Sequence, residues 1–307
     1  MAISRRTLIA RAAMVAASSA FANRPLLARP PGYRPGFVPG VQLWTVNDEL
    51  AHDFPGTLGA LAALGFRRVE AAGWHGRSAA QFRDAVKTAG LDCVSAHYSL
   101  PDLLGDTEGR LAFAREVGVT YVVASSPAPS RPLDPSKSWP LANAEAMALA
   151  DWRANAAALD RIGERARAMG LLFGYHNHVG EFLDYDGFMP LDEIVRLTDP
   201  ANVVLELDLG WAAGAGQDPV AMIERYASRI HLLHLKDLAS SQRTPGKMVV
   251  DARTTPVGEG TIDWPAVFRA AERAPIHSYF VEQEPPFTEP PLAALAKSIA
   301  YLRGLEE

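Results

Sequence analysis

Histidines and carboxylates close several apolar runs in this chain. Residues 171–182 read Leu-Leu-Phe-Gly-Tyr-His-Asn-His-Val-Gly-Glu-Phe, an apolar run that ends on His176, Asn177, His178 and Glu181. The design repeats at 203–208 (Val-Val-Leu-Glu-Leu-Asp), 230–237 (Ile-His-Leu-Leu-His-Leu-Lys-Asp) and 279–284 (Tyr-Phe-Val-Glu-Gln-Glu). Imidazoles and carboxylates hold divalent cations and move protons near neutral pH. Drawn from four separate runs, Glu181, Asp208, His234 and Glu282 make an oxygen-rich donor set with one imidazole. Such a set suits one divalent ion, Mn2+ or Mg2+ first, with Zn2+, Co2+ or Ni2+ admitted by the histidine. Two positions stay open. His178 can stand in for Glu181, which lies several residues past its run. Glu284 can stand in for Glu282, because alternate residues of an extended strand share a side.

These side chains need elements that bring them together. Helix-compatible segments end at Gly65, Gly90, Gly118 and Gly170, and an apolar run begins a few residues after each. Glycine just past a helix supplies the left-handed cap, and a short apolar run is what a fully buried parallel strand looks like. Strands are expected near 40–45, 68–72, 93–98, 121–125, 171–177, 203–208, 230–236 and 278–283. Asp53-Phe54-Pro55 offers helix-start chemistry, with a first helix expected over 57–64. Eight alternating units at this spacing predict an α/β fold, a single (β/α)8 TIM barrel occupying 40–307. An open doubly wound sheet also alternates strand and helix, but no Gly-x-Gly-x-x-Gly turn follows the first strand. Two longer stretches, 125–149 and 238–263, follow strands and are expected to cover the active face.

Bulk properties narrow the partners. The formal net charge of -5 gives no support for a broad phosphate-binding surface, so nucleic acid is not expected. The single cysteine, Cys93, permits no internal disulfide and reads as an inert core thiol. Ser4-Arg5-Arg6-Thr7-Leu8-Ile9 precedes an alanine-rich run and the small-x-small site Ala20-Phe21-Ala22, the pattern of a twin-arginine export signal over 1–22. That run is too short and weakly apolar to span a membrane, so a periplasmic protein with no membrane partner is expected. A proline-rich linker is expected over 23–39. Homo-oligomerisation is left open.

Gly40-Val-Gln-Leu-Trp-Thr-Val, Gly65-Phe-Arg-Arg-Val-Glu, Tyr175-His-Asn-His, Glu206-Leu-Asp-Leu-Gly-Trp, His234-Leu-Lys-Asp and Val257-Gly-Glu-Gly-Thr-Ile-Asp-Trp together resemble the xylose-isomerase-like barrels of the sugar phosphate isomerase/epimerase family. The likeness runs from about Gly40 to Leu305. It implies a divalent metal on Glu181, Asp208, His234 and Glu282, with Glu181 and Glu282 also catalytic, shuttling protons on two faces of a sugar. The activity it implies first is isomerisation or epimerisation through an enediolate. A metal-dependent lyase that eliminates the aglycone of a 3-oxo-glycoside is the alternative, and a non-catalytic periplasmic sugar-binding protein a second. A phosphodiesterase of the abasic-site endonuclease type shares the barrel, but the acidic balance and export signal argue against it.

Ketose epimerases place a histidine three residues after the strand-six aspartate; here Trp211 stands there and offers an indole to a sugar ring. His176, Asn177 and His178 are expected to touch substrate. Trp44, Glu70, His97 and Lys236 either do the same or are satisfied polar residues of the barrel interior. Lys236 would meet an oxyanion or phosphate at the pocket mouth. His52, His75, His231 and His277 read as surface or packing residues.

Overall fold

The computed structural model describes residues 38–240 and 253–305. The expected export signal, nearly all of the linker and the Pro245-Gly246 turn lie outside the described residues. Eight parallel strands close into one barrel: β1 Pro39–Gln42, β2 Arg68–Ala71, β3 Asp92–Tyr98, β4 Tyr121–Ala124, β5 Leu172–His176, β6 Val204–Asp208, β7 Ile230–Leu235 and β10 Ser278–Val281. Their order around the barrel is β1-β10-β7-β6-β5-β4-β3-β2, so each pairs with its sequence neighbour and β10 closes on β1. A short antiparallel pair, β8 Asp237–Leu238 with β9 Thr254–Thr255, sits in the excursion after β7. Every expected strand is present, and the TIM barrel is confirmed.

The interior changes character along the strands. Near the entry ends, Tyr121, Val123, Val204, Leu232 and Phe280 form a buried apolar plug. Two residues further on, Val204 gives way to Glu206, Leu232 to His234 and Phe280 to Glu282. Because side chains alternate across a strand, a step of two keeps the same side and exchanges plug for chemistry. Gly40 is needed where β1 passes the plug, since a Cβ there would stand 2.7 Å from the Phe280 ring.

Local signals act as the residue types require. Asp53 caps helix Phe54–Leu64, accepting from the Gly56 N–H at 3.0 Å, and Gly65 ends it at φ 104°. A further helix, Asn47–His52, precedes this one and carries no start signal that the sequence reading found. Cys93 is half-buried on β3 and its thiol is raised by burial, consistent with an inert group. Among the described residues no helix is long and apolar enough to cross a membrane.

Candidate metal centre

His176 ends β5, Asp208 ends β6, His234 lies on β7 and Glu282 follows β10 directly. Each offers one ligand atom, and these atoms all lie within 4.8 Å of one another. All four side chains are buried. Asp208 is divided between two tasks. Its Oδ1 caps helix Leu209–Gly214, accepting from the Trp211 N–H at 2.7 Å. Its Oδ2 is buried 3.0 Å from Lys236 Nζ, and His176 Nδ1 lies 3.3 Å from Glu206 Oε2. Two imidazoles and two carboxylates converging in this way are a donor set that fits a divalent transition ion.

His234 is gripped from both sides. Its Nε2 lies 2.7 Å from Glu70 Oε1, and its Nδ1 lies 2.9 Å from Glu282 Oε2 and 3.6 Å from Asp208 Oδ2. Burial disfavours the charged ring, yet Glu206 and Glu282 outweigh it and raise the imidazole well above its ordinary range. Below it, His97 Nε2 meets Glu70 at 2.9 Å and Glu206 at 2.5 Å. Burial again opposes, and the two carboxylates prevail, raising His97 to about 10. Gln42 donates to Glu70 at 2.8 Å. Glu70 thus holds His234, and His97 stacks on it with ring centres 5.4 Å apart, the satisfied interior polar role that was one of the two readings open to both. His97, His176, Glu206 and His234 also bring one ligand atom each within 4.8 Å of the others.

Lys236 is fully buried, with Nζ 3.0 Å from both Asp208 Oδ2 and Glu282 Oε2, and paired with Glu284. Its Nζ lies 4.4 Å from the centre of the Trp211 ring, a cation–π arrangement. Three carboxylates hold its ammonium charged despite burial. Next in sequence, Asp237 organises the loop that follows: it accepts N–H bonds from Leu238, Gly258, Gly260, Thr261, Ile262 and the Trp264 indole. The His-Leu-Lys-Asp and Gly-Glu-Gly-Thr-Ile-Asp-Trp motifs are therefore two halves of one clamp. A Cβ on Gly260 would lie 2.1 Å from Asp237 Oδ1, so the clamp needs glycine there.

Glu181 is not in the ligand cluster. β5 ends at His176, and the chain turns through the short 3-10 helix Gly180–Phe182, which aims the carboxylate elsewhere. Its Oε1 accepts from the Tyr175 O–H at 2.6 Å and its Oε2 from the His178 N–H at 3.0 Å. Burial pushes Glu181 up to about 7, the Tyr175 bond opposing. Beside it, among Trp139, His178 and Trp152, is a cavity of about 10 Å³. His176 takes the place in the cluster that the sequence reading gave to Glu181. Asn177 is also placed differently from expectation. Its side chain binds both backbone groups of Asp208, accepting from N–H at 3.0 Å and donating to C=O at 3.2 Å, so it joins β5 to β6 instead of waiting for substrate.

His178 and Trp211 line the same region, their ring centres 5.5 Å apart, and Trp44 is 48% exposed just past β1. Burial, then Lys236, lowers His178 to about 3, which keeps its ring neutral. Glu206 escaped the sequence reading as a site residue. The signal was there, since Glu206 and Asp208 stand two apart on one strand and so share its inner side.

Residues 58–305 match the family described as the xylose isomerase-like TIM barrel. An inosose dehydratase from Lacticaseibacillus casei is 28% identical over 46% of this chain and 50% of its own length. The chain thus spans about half of that relative. An inosose dehydratase from Geobacillus thermodenitrificans is 27% identical over 85% of this chain and 93% of the relative. A solved structure of a sugar phosphate isomerase/epimerase from Parabacteroides distasonis superposes with a TM-score of 0.69 at 25% identity, covering 91% of this chain and 98% of that one.

Proposed function

Because the chain belongs to the xylose isomerase-like TIM barrel family, we propose that it is a divalent-metal-dependent lyase acting on a 3-oxo-glycoside. The observation that carries this reading is the buried cluster of His176, Asp208, His234 and Glu282 at the strand ends. Those four residues would hold the ion. When bound, it supplies Lewis-acid polarisation of substrate oxygens.

The chain's own groups do the rest. A 3-oxo group acidifies the neighbouring C2–H bond. That bond breaks, its electron pair forms the C1–C2 double bond, and the C1–O bond breaks with its pair on the leaving oxygen, which takes the proton removed from C2 and departs as an alcohol. Glu282, a carboxylate of the cluster, is assigned the proton transfer. Glu282 stays ionised between His234 and Lys236. Lys236 offers a held positive charge to an oxygen that gains negative charge.

Isomerisation or epimerisation, the activity expected first from the sequence, starts with the same proton abstraction. The likeness to the Parabacteroides distasonis structure supports it as the second reading. The relatives' names, which say that an inosose loses water, favour elimination. Metal-loaded protein incubated with a 3-oxo-glycoside should release free aglycone and a 2-hydroxy-3-oxo-glycal. Epimerisation of a free ketose with no aglycone released would overturn the lyase reading. Export through the twin-arginine signal belongs to the same proposal, and a mature N-terminus near Asn23 on secreted protein is its test.

A further inference from the structure

Two of the four candidate ligands stand on neighbouring strands, and the ladder between those strands stops short of one of them. The β5–β6 register ends with His176 opposite Glu206, while β6 runs on to Asp208, which pairs with His234 on its other side. A buried backbone N–H and C=O beyond the end of a ladder need other partners. Asn177 supplies both, because a side-chain amide carries the same donor and acceptor as a peptide group. Its oxygen accepts from the Asp208 N–H at 3.0 Å and its NH2 donates to the Asp208 C=O at 3.2 Å, so β5 continues along β6 through a side chain. With Asp208 Oδ1 already held by the Trp211 N–H, a fixed backbone also fixes where Oδ2 stands.

Glu181 acts on the other ligand. It accepts from the Tyr175 O–H and from the His178 N–H, so one carboxylate ties the residue before His176 to the second residue after it. Tyr175, Asn177 and Glu181 are each 1% exposed. The polar atoms of Asn177 and Glu181 are thus spent inside the protein, on the backbone and neighbours of two ligands.

We propose that Asn177 and Glu181 are positioning residues for the candidate metal centre: Asn177 sets the place of Asp208, Glu181 holds the turn that carries His176, and the two together form a brace that fixes the spacing of those ligands. This role rests on the metal reading above and extends it to two side chains outside the four-residue cluster. Glu70 grips a ligand ring directly, whereas the brace acts through the backbone that presents the ligands.

The test uses the full chain, stripped of metal and titrated with Co2+ against a competing chelator. The visible spectrum of bound Co2+ follows the geometry of its ligands, which a change in fold stability alone does not alter. Asn177→Ala and Glu181→Ala should each weaken Co2+ binding by about ten- to a hundredfold and change the visible band. Glu181→Gln keeps an oxygen for the His178 N–H and offers its NH2 to the Tyr175 oxygen, so it should bind within about threefold of wild type. Tyr185→Phe removes a nearby hydrogen bond that lies outside the brace, to the Ala144 C=O at 2.9 Å, and should leave affinity and band unchanged. If Asn177→Ala does not fold, Asn177→Ser, too short to reach both Asp208 groups, carries the same expectation. Wild-type affinity and an unaltered band in the Asn177 and Glu181 variants overturn the brace, as does an equal loss in Tyr185→Phe. A wild type that takes up no Co2+ overturns the metal reading itself, and the brace with it.

Discussion

Strand β7 carries two histidines three residues apart, and they come to opposite chemistry. His231, at the entry end, stacks on His277 at 4.9 Å and meets the Tyr121 ring edge-on. Burial, then His277 and Arg229, lowers it to about 4. His234, near the exit end, is enclosed by Glu70, Glu206 and Glu282, which overcome burial and raise it. Residue type and strand are the same, so neither decides the role. The charges that the other strands bring opposite each ring decide it. A neutral ring among rings and an arginine is a packing unit, while a ring with carboxylates at both nitrogens stands among the candidate ligands.

The largest effect tests that contrast directly. His234→Gln should lose bound metal and more than about a hundredfold in turnover, because even the partners of metal ligands cost ten- to a hundredfold when removed. His231→Gln should keep metal content and turnover within about twofold. Metal analysis with a kinetic assay on both variants decides, and equal losses would break the comparison. Glu70→Gln comes next. It weakens the grip on His234 Nε2 without touching the four-residue cluster, so metal affinity should fall by about ten- to a hundredfold in a competition titration with a chelator.

Glu181 sharpens the contrast through pH. Burial raises its carboxyl from 4.5 to about 7, so folding favours the protonated form. The stability it contributes is full below its unfolded pKa and is lost as pH rises through about 7. Urea melts of wild type and Glu181→Gln should diverge across that window, the wild type falling relative to the variant by on the order of 3 kcal/mol at most. Parallel curves would show that Glu181 does not titrate there. The smallest effect is expected at the entry end. His231 is lowered from 6.5 to about 4, so its contribution is present above its unfolded pKa and is lost as pH falls towards 4. His231→Gln should shift the acid-unfolding midpoint slightly downward, and an upward shift would contradict a neutral packed ring.

The barrel was legible because its code is local. Glycine caps such as Gly65 and Gly118, short apolar runs and one strand-plus-helix spacing each follow from a few neighbouring residues. Asp208, His234 and Glu282 were legible for a related reason: each ends or nearly ends an apolar run, where a barrel places its chemistry. Glu181 was misplaced because a turn of a few residues decides where a side chain points, and Gly180–Phe182 gives no period to read. Asn177 was read as a substrate contact, and Glu70 left open between that and a satisfied interior role, because a polar residue at a strand end looks the same whether it faces solvent or a neighbouring strand.

By itself, then, the sequence determined that eight strands would close and that acids and imidazoles would stand at their exits, since alternation and capping act within a few residues. Only the tertiary structure decided which of them meet. The grip of Glu70 on His234 spans 164 residues and that of Glu282 spans 48, and such distances are closed by the barrel's register, not by any local preference.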